Sequence, residues 1–414
     1  MSDGSDFMAQ TFLDNGIQVL TEHMPGVRSS AVGIWVRQGS AHESMADAGI
    51  SHMLEHMVFK GTARRTAGEI ALALEGLGGS LDAYTSREHT SYQARVLDEH
   101  FSQAMDVLAD LVIGPLIAQG DLDLEREVVL EEIAQVDDTP DDLVFELHAE
   151  KLWNGHPYGR SILGTKRSVE GMTTDQLHAL HQKRYKPNNL IVAAAGHVQH
   201  DVVVESVEEL LGGYSGGDTV DQIVPPQSTS SGIVYETRQS AQTHILFGSG
   251  VPGHSHPDRY PLALLSSALG SGMSSRLFQR VREELGLCYS VYTYQSFYSV
   301  SGVSGVYLGT RPATAEKAAN VVREELVRVA RDGLKEDEIE RVKQQVKGHV
   351  MLSLESSGSR LHRLAGFALN EEPLTGLSEL LSKIDAVTGD DVLRVAKEYF
   401  DPARHLELRL GPRC

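Results

Sequence analysis

Cysteine is nearly absent: the 414 residues carry two, Cys288 and Cys414, which excludes a disulfide framework and any paired-cysteine metal site. No run of about 18 apolar residues occurs, so no segment reads as a membrane span and no membrane insertion is expected. The opening residues, MSDGSDFMAQ, lack Lys, Arg and any apolar stretch. Neither a secretory signal nor an Arg-rich transit peptide is expected from them, and a cytoplasmic location is the default. Positive charge is also scarce. Lys and Arg number 37 against 57 Asp and Glu, a net charge of −20, which argues against a nucleic-acid or anionic-membrane partner. Such acidity suits basic peptides as ligands, although solubility alone would account for it.

What is present is globular in character, with 41% hydrophobic and 23% charged residues in a chain long enough for two or more cores. A hairpin is predicted at the start: Thr11–Leu13, a turn at Asp14-Asn15-Gly16, then Ile17–Leu20. A strand follows at 31–37. Residues 48–58 carry an apolar stripe of Ile50, Met53, Leu54, Met57 and Val58 at helical spacing. A helix over 67–77, a strand pair at 80–84 and 90–97, and helices over 99–113, 121–137 and 140–153 come next. A helix near 174–185, an apolar strand at 190–195 and a helix at 200–211 complete the first half. Strands and helices mix without a strict βαβ rhythm, which predicts an α+β fold: mixed, mostly antiparallel sheets packed with helices.

Residues 213–231 are rich in Gly, Ser and Pro and read as a linker between domains at 1–212 and 232–414. The second domain is similar to the first. HILFGSGV at 244–251 matches VGIWVRQGS at 32–40, and the Glu-Arg pair at 125–126 matches that at 340–341, an offset of 215. The same offset carries His52 onto Ser267, His56 onto Ser271 and Glu132 onto Lys347, so the second domain is expected to hold no metal ligands.

The chemistry concentrates in Gly49–His56, which contains H-x-x-E-H: His52, Glu55, His56. On a helix, residues four apart lie one turn apart on one face, so both imidazoles can reach one ion, and Glu55 lies close enough to accept a proton from water there. A catalytic zinc takes three protein ligands and keeps one position open, so a third donor must come from elsewhere. Acids cluster at Glu125, Glu127, Glu131 and Glu132. Glu125 and Glu132 share a helix face, and Glu131 lies about 100° from Glu132, but spacing alone does not choose among them. His89, His148 and His156 have no ligand spacing and read as packing or polar histidines.

GISHMLEHMVFKGT, GGSLDAYTSREHTSYQARV and LEREVVLEEI together resemble the pitrilysin family of metallopeptidases, nearest to its processing-peptidase β-subunit branch and short bacterial relatives. The resemblance covers essentially the whole chain. It implies a zinc endopeptidase with His52, His56 and Glu132 as ligands, the last 76 residues after His56, and Glu55 as general base. Glu125 matches a supporting acid beside the ligands. Asp82-Ala83-Tyr84 corresponds to the family's substrate-binding edge strand, with Asp82 where Asn is usual. Arg282 and Tyr289 match a pair that binds the substrate carbonyl and stabilises the oxyanion. One Zn2+ per chain, short unfolded or presequence-like peptide substrates and a homodimer are the further expectations. The competing reading is a non-catalytic partner or core subunit of a peptidase-like or respiratory assembly. Such relatives lose the motif that this chain retains.

Overall fold

The computed structural model describes residues 7–217 and 221–412, so Cys414, the first six residues and part of the expected linker lie outside the described residues. The described chain forms two compact units, and neither is a contiguous stretch of sequence. The first comprises 1–133, 161–223 and 351–378; the second comprises 134–160, 224–350 and 379–414.

The first unit is built on a six-stranded sheet. Its strands are β1 (Met8–Phe12), β2 (Gln18–His23), β3 (Ser29–Val36), β4 (Ser80–Thr85), β5 (Thr90–Leu97) and β6 (Leu190–Gly196), in the spatial order β1-β2-β6-β3-β5-β4. Only β2 and β6 run parallel; every other pair is antiparallel. The expected hairpin joins β1 to β2, closed by Leu13 N–H donating to Ile17 O and by Gly16 at φ +99°. Side chains alternate across the sheet. Val19, Val32, Ile34, Val192 and Ala194 face a core made with helices Ile50–Val58, Ala67–Glu75 and Phe101–Ile113. Leu20, Ala31, Trp35, Ile191, Ala193 and Ala195 face the opposite side. With both faces covered, β6 (LIVAAAG) is buried throughout, whereas β4 at the sheet edge alternates between exposed and half-buried.

The second unit carries β7 (Gly232–Thr237), β8 (Thr243–Val251), β9 (Cys288–Phe297), β10 (Gly302–Thr310) and β11 (Leu406–Gly411), ordered β7-β11-β8-β10-β9. Again one pair, β7 and β11, is parallel and the rest are antiparallel. The order repeats that of β2 through β4, so the duplication extends to topology. The offset of 215 carries helix Thr174–Arg184 onto Gly389–Tyr399 and helix Gln119–Asp138 onto 334–353, where Glu336–Ser353 is found.

The two halves of the sequence exchange a helix. Pro140–Trp153, from the first half of the sequence, lays Leu143 and Val144 against Leu246, Tyr307, Leu408 and Leu410 of the second sheet. Its counterpart Ser357–Leu369, from the second half, lays Leu361, Leu364, Ala365 and Ala368 over the β2, β3 and β6 side chains of the first sheet. A single cut within 213–231, the expected linker, therefore does not divide the chain into the two compact units, since each sheet buries one face beneath a helix from the other half.

Candidate active site

Helix Ile50–Val58 begins at a tightly specified turn. Gly49 has φ +89°, and a Cβ there would sit 2.5 Å from Leu163 O; Gly164 has φ +79°, and a Cβ there would sit 2.3 Å from Ala48 O. The Glu43 carboxylate then takes two orphan donors of the first turn, Gly49 N–H and Ser51 N–H, each at 2.8 Å. Ile50, Met53, Leu54, Met57 and Val58 are buried as the stripe predicts, which turns His52, Glu55 and His56 to the opposite face.

Helix Gln119–Asp138 supplies the acids. Leu122, Glu125 and Val129 are its buried residues, and Glu132, one turn beyond Val129 less a residue, is half-buried, while Glu127 and Glu131 are exposed. Tertiary placement thus chooses where spacing could not. His52 Nε2 lies 3.7 Å from Glu132 Oε2 and His56 Nε2 lies 3.8 Å from Glu132 Oε1. Donor atoms of His52, His56 and Glu132 fall within 4.8 Å of one another, the one such three-residue group among the described residues. Zinc–donor bonds near 2.0–2.2 Å separate two tetrahedral donors by about 3.4 Å, so these spacings suit that ion. Glu132 Oε2 is also buried with no hydrogen-bond partner, an arrangement that is costly unless a cation meets it.

The electrostatics favour coordination over ion pairing. Burial, reinforced by the neighbouring His56, lowers the pKa of His52 to about 4. It is therefore neutral near pH 7, its contact with Glu132 is not a salt bridge, and its lone pair is free to bind metal. His56 Nδ1 is 2.9 Å from Glu125 Oε2, which fixes the tautomer so that Nε2 points at the donor cluster. The other Glu125 oxygen meets Lys60 Nζ at 2.5 Å. Burial raises the Glu125 pKa, but hydrogen bonds from Lys60 and His56 outweigh it and hold the carboxyl below its ordinary value. Burial raises that of Glu55, against the hydrogen bond from Thr85 Oγ1 at 2.6 Å.

Asp82, Ala83 and Tyr84 lie on β4, whose outer edge has no strand partner among the described residues. Asp82 and Tyr84 are exposed and Ala83 packs against the core. Tyr84 Oη contacts His89 Nε2 at 3.2 Å, and His148 Nε2 contacts Leu406 O, so neither histidine joins the donor cluster. In the second unit, Arg282 occupies a π-helical turn, Phe278–Glu284, with its guanidinium 4.6 Å from the Phe278 ring centre and 4.7 Å from that of Tyr289. At positions equivalent to the donors, Lys347 Nζ meets Asp385 Oδ1 at 2.6 Å and Ser267 is buried. Sequence reasoning missed Glu43, Lys60 and Thr85. Lys60 and Thr85 fall inside the motif segments, but nothing in their spacing marks them as partners of Glu125 and Glu55.

Residues 18–166 match the family described as Insulinase (Peptidase family M16), and 171–346 match Peptidase M16 inactive domain. An uncharacterized zinc protease of Mycobacterium leprae is 41% identical over 98% of this chain and 92% of its own length. One from Bacillus subtilis is 36% identical over 93% and 94%. The chain belongs to peptidase family M16. It is a zinc metallopeptidase, as the resemblance to the pitrilysin family implied. The crystal structure of a protease from Helicobacter pylori shares the fold, with a TM-score of 0.90 at 23% identity over 98% of this chain and 99% of that one. A Pseudomonas fluorescens structure described as a peptidase M16 inactive domain does so at 0.91 and 21%, over 98% of each chain. Both halves thus have counterparts in known M16 folds, and the α+β reading holds. No described helix is long and apolar enough to cross a membrane.

Proposed function

We propose that the chain is a zinc-dependent endopeptidase that cleaves short unfolded or presequence-like peptides, with His52, His56 and Glu132 holding the ion and Glu55 acting as general base. The observation that carries this is the convergence of three donors around an otherwise orphaned carboxylate oxygen, with Glu55 on the same helix face. Zinc, when bound, would supply the Lewis acidity that makes water nucleophilic near neutral pH and polarises the scissile carbonyl. Glu55 takes the proton from the attacking water and delivers it to the leaving amine. Glu125 orients His56, and β4 receives the substrate as an added strand through its free backbone edge, with Asp82 and Tyr84 flanking it. Asp82 has no side-chain donor for a substrate carbonyl, so strand pairing rests on the backbone.

Arg282 and Tyr289 are proposed to serve the substrate carbonyl and its developing negative charge. Their support is the resemblance and their mutual stacking. A cytoplasmic homodimer is the expected assembly, on the same resemblance, and sedimentation as a single chain would count against it. Hydrolysis of a fluorogenic peptide library, with chelator and Glu55→Gln as controls, tests the reading. Zinc should be retained and turnover lost in Glu55→Gln, and full activity in that variant would sink the mechanism.

A further inference from the structure

The hydroxyl that holds Glu55 comes from the last residue of the edge strand. Along β4, Leu81, Ala83 and Thr85 turn inward and Ser80, Asp82 and Tyr84 face out. Leu81 and Ala83 pack against the core that includes helix Ile50–Val58, and Thr85 places its Oγ1 2.6 Å from Glu55 Oε2. A carboxylate can only accept, so Thr85 must donate here. Its neighbour Thr90 spends its own proton on Gln38 O at 2.9 Å, which leaves only a 3.5 Å contact between the two threonine oxygens. Gln38 in turn reaches Ser51 Oγ of the H-x-x-E-H helix at 3.1 Å. The Thr85 hydroxyl thus has one donation and one recipient, and Thr90 and Gln38 brace it.

We propose that Thr85 is a positioning residue for the general base. Its hydroxyl ties Oε2 of Glu55, beside a hydrogen bond from the Thr85 backbone, and so orients the carboxylate that receives the proton from water. Because Thr85 ends β4, the strand that aligns the peptide backbone also sets the orientation of the base. The inference rests on the reading of Glu55 and β4 given above.

The test compares Thr85→Val, which keeps the shape and deletes the hydroxyl, with Thr85→Ser, which restores it. Steady-state kinetics on one fluorogenic peptide, zinc content and thermal midpoint are measured for each, with Glu55→Gln alongside. Loss of a hydrogen bond to a charged group should lower kcat of Thr85→Val about ten- to hundredfold, with KM, zinc content and midpoint unchanged. Thr85→Ser should recover most of kcat. A Thr85→Val enzyme within about twofold of wild type in kcat overturns the proposal. So does a Thr85→Ser enzyme as impaired as Thr85→Val, or a loss of kcat accompanied by loss of zinc or of folding. If Glu55→Gln is itself active, the reading of the base fails, and that outcome is separable from a failure of Thr85 alone.

Discussion

Glu125 accepts from His56 through one carboxylate oxygen and meets Lys60 through the other, so a single buried acid both orients His56 and carries a compensating cation. Partners of metal-binding histidines commonly contribute ten- to a hundredfold in metal affinity. Glu125→Ala is expected to weaken zinc binding by about that factor while leaving His52, His56 and Glu132 in place. Competition against a chromophoric chelator measures it, and an unchanged zinc Kd would remove Glu125 from the site. At this scale the sequence was partly legible. His52, Glu55 and His56 stood out because a helix brings i and i+4 together. Glu132 could not be told from Glu125 or Glu131 by geometry on one helix, since the answer depends on which face meets another element. Thr85 and Lys60 carried no signal, because a hydrogen bond across about 30 or 65 positions leaves no periodicity in the chain.

Among the elements, the exchanged helix has a measurable energetic consequence. Leu364 is fully buried in the cluster with Trp35, Leu20 and Ile191, although it lies in the second half of the sequence. Leu364→Ala should destabilise the first unit by about 2–5 kcal/mol through lost burial and a residual cavity. The two tryptophans make this separable, since Trp35 reports on the first unit and Trp153 on the second. Urea unfolding followed in a Trp153→Phe background should show an earlier transition for Leu364→Ala. A shift seen only by Trp153, in the reciprocal Trp35→Phe background, would contradict the assignment of this helix. In the first half of the chain, the strands and helices read from the sequence lie close to the observed limits, because apolar periodicity is a local property. Which sheet a helix covers is not local, and nothing in the residue pattern of 140–153 or 357–369 marks the sheet it packs on.

For the whole molecule, pH acts through buried histidines. Burial lowers His148, and burial plus the neighbouring His148 lowers His405, each from 6.5 to about 4. The unfolded chain therefore takes up protons as pH falls below 6.5, while the folded second unit does not until about pH 4. Stability contributed by keeping these groups neutral is complete above pH 6.5, falls between 6.5 and 4, and levels off below. The loss is of the order of 3 kcal/mol per histidine at the acid end. In a Trp35→Phe background, urea midpoints read by Trp153 fluorescence should decline across this range with His148 in place and decline less for His148→Gln. A decline of equal slope in both would rule out His148 as a source. The net charge of −20 gives no hint of this behaviour, because the effect depends on desolvation.

By itself the sequence determined the residue patterns: a two-histidine, one-glutamate helix, a strand after it, and a duplicated second half without equivalents of His52, His56 and Glu132. These are fixed by residue type and short-range spacing, which survive in one dimension. Residue spacing left the third acid open and only the family resemblance pointed to Glu132; tertiary structure decided which acid faces the histidines, which hydroxyl meets Glu55, and which helix covers each sheet. Each of those depends on burial and on contacts between segments far apart in the chain, and neither has a period that a sequence can display.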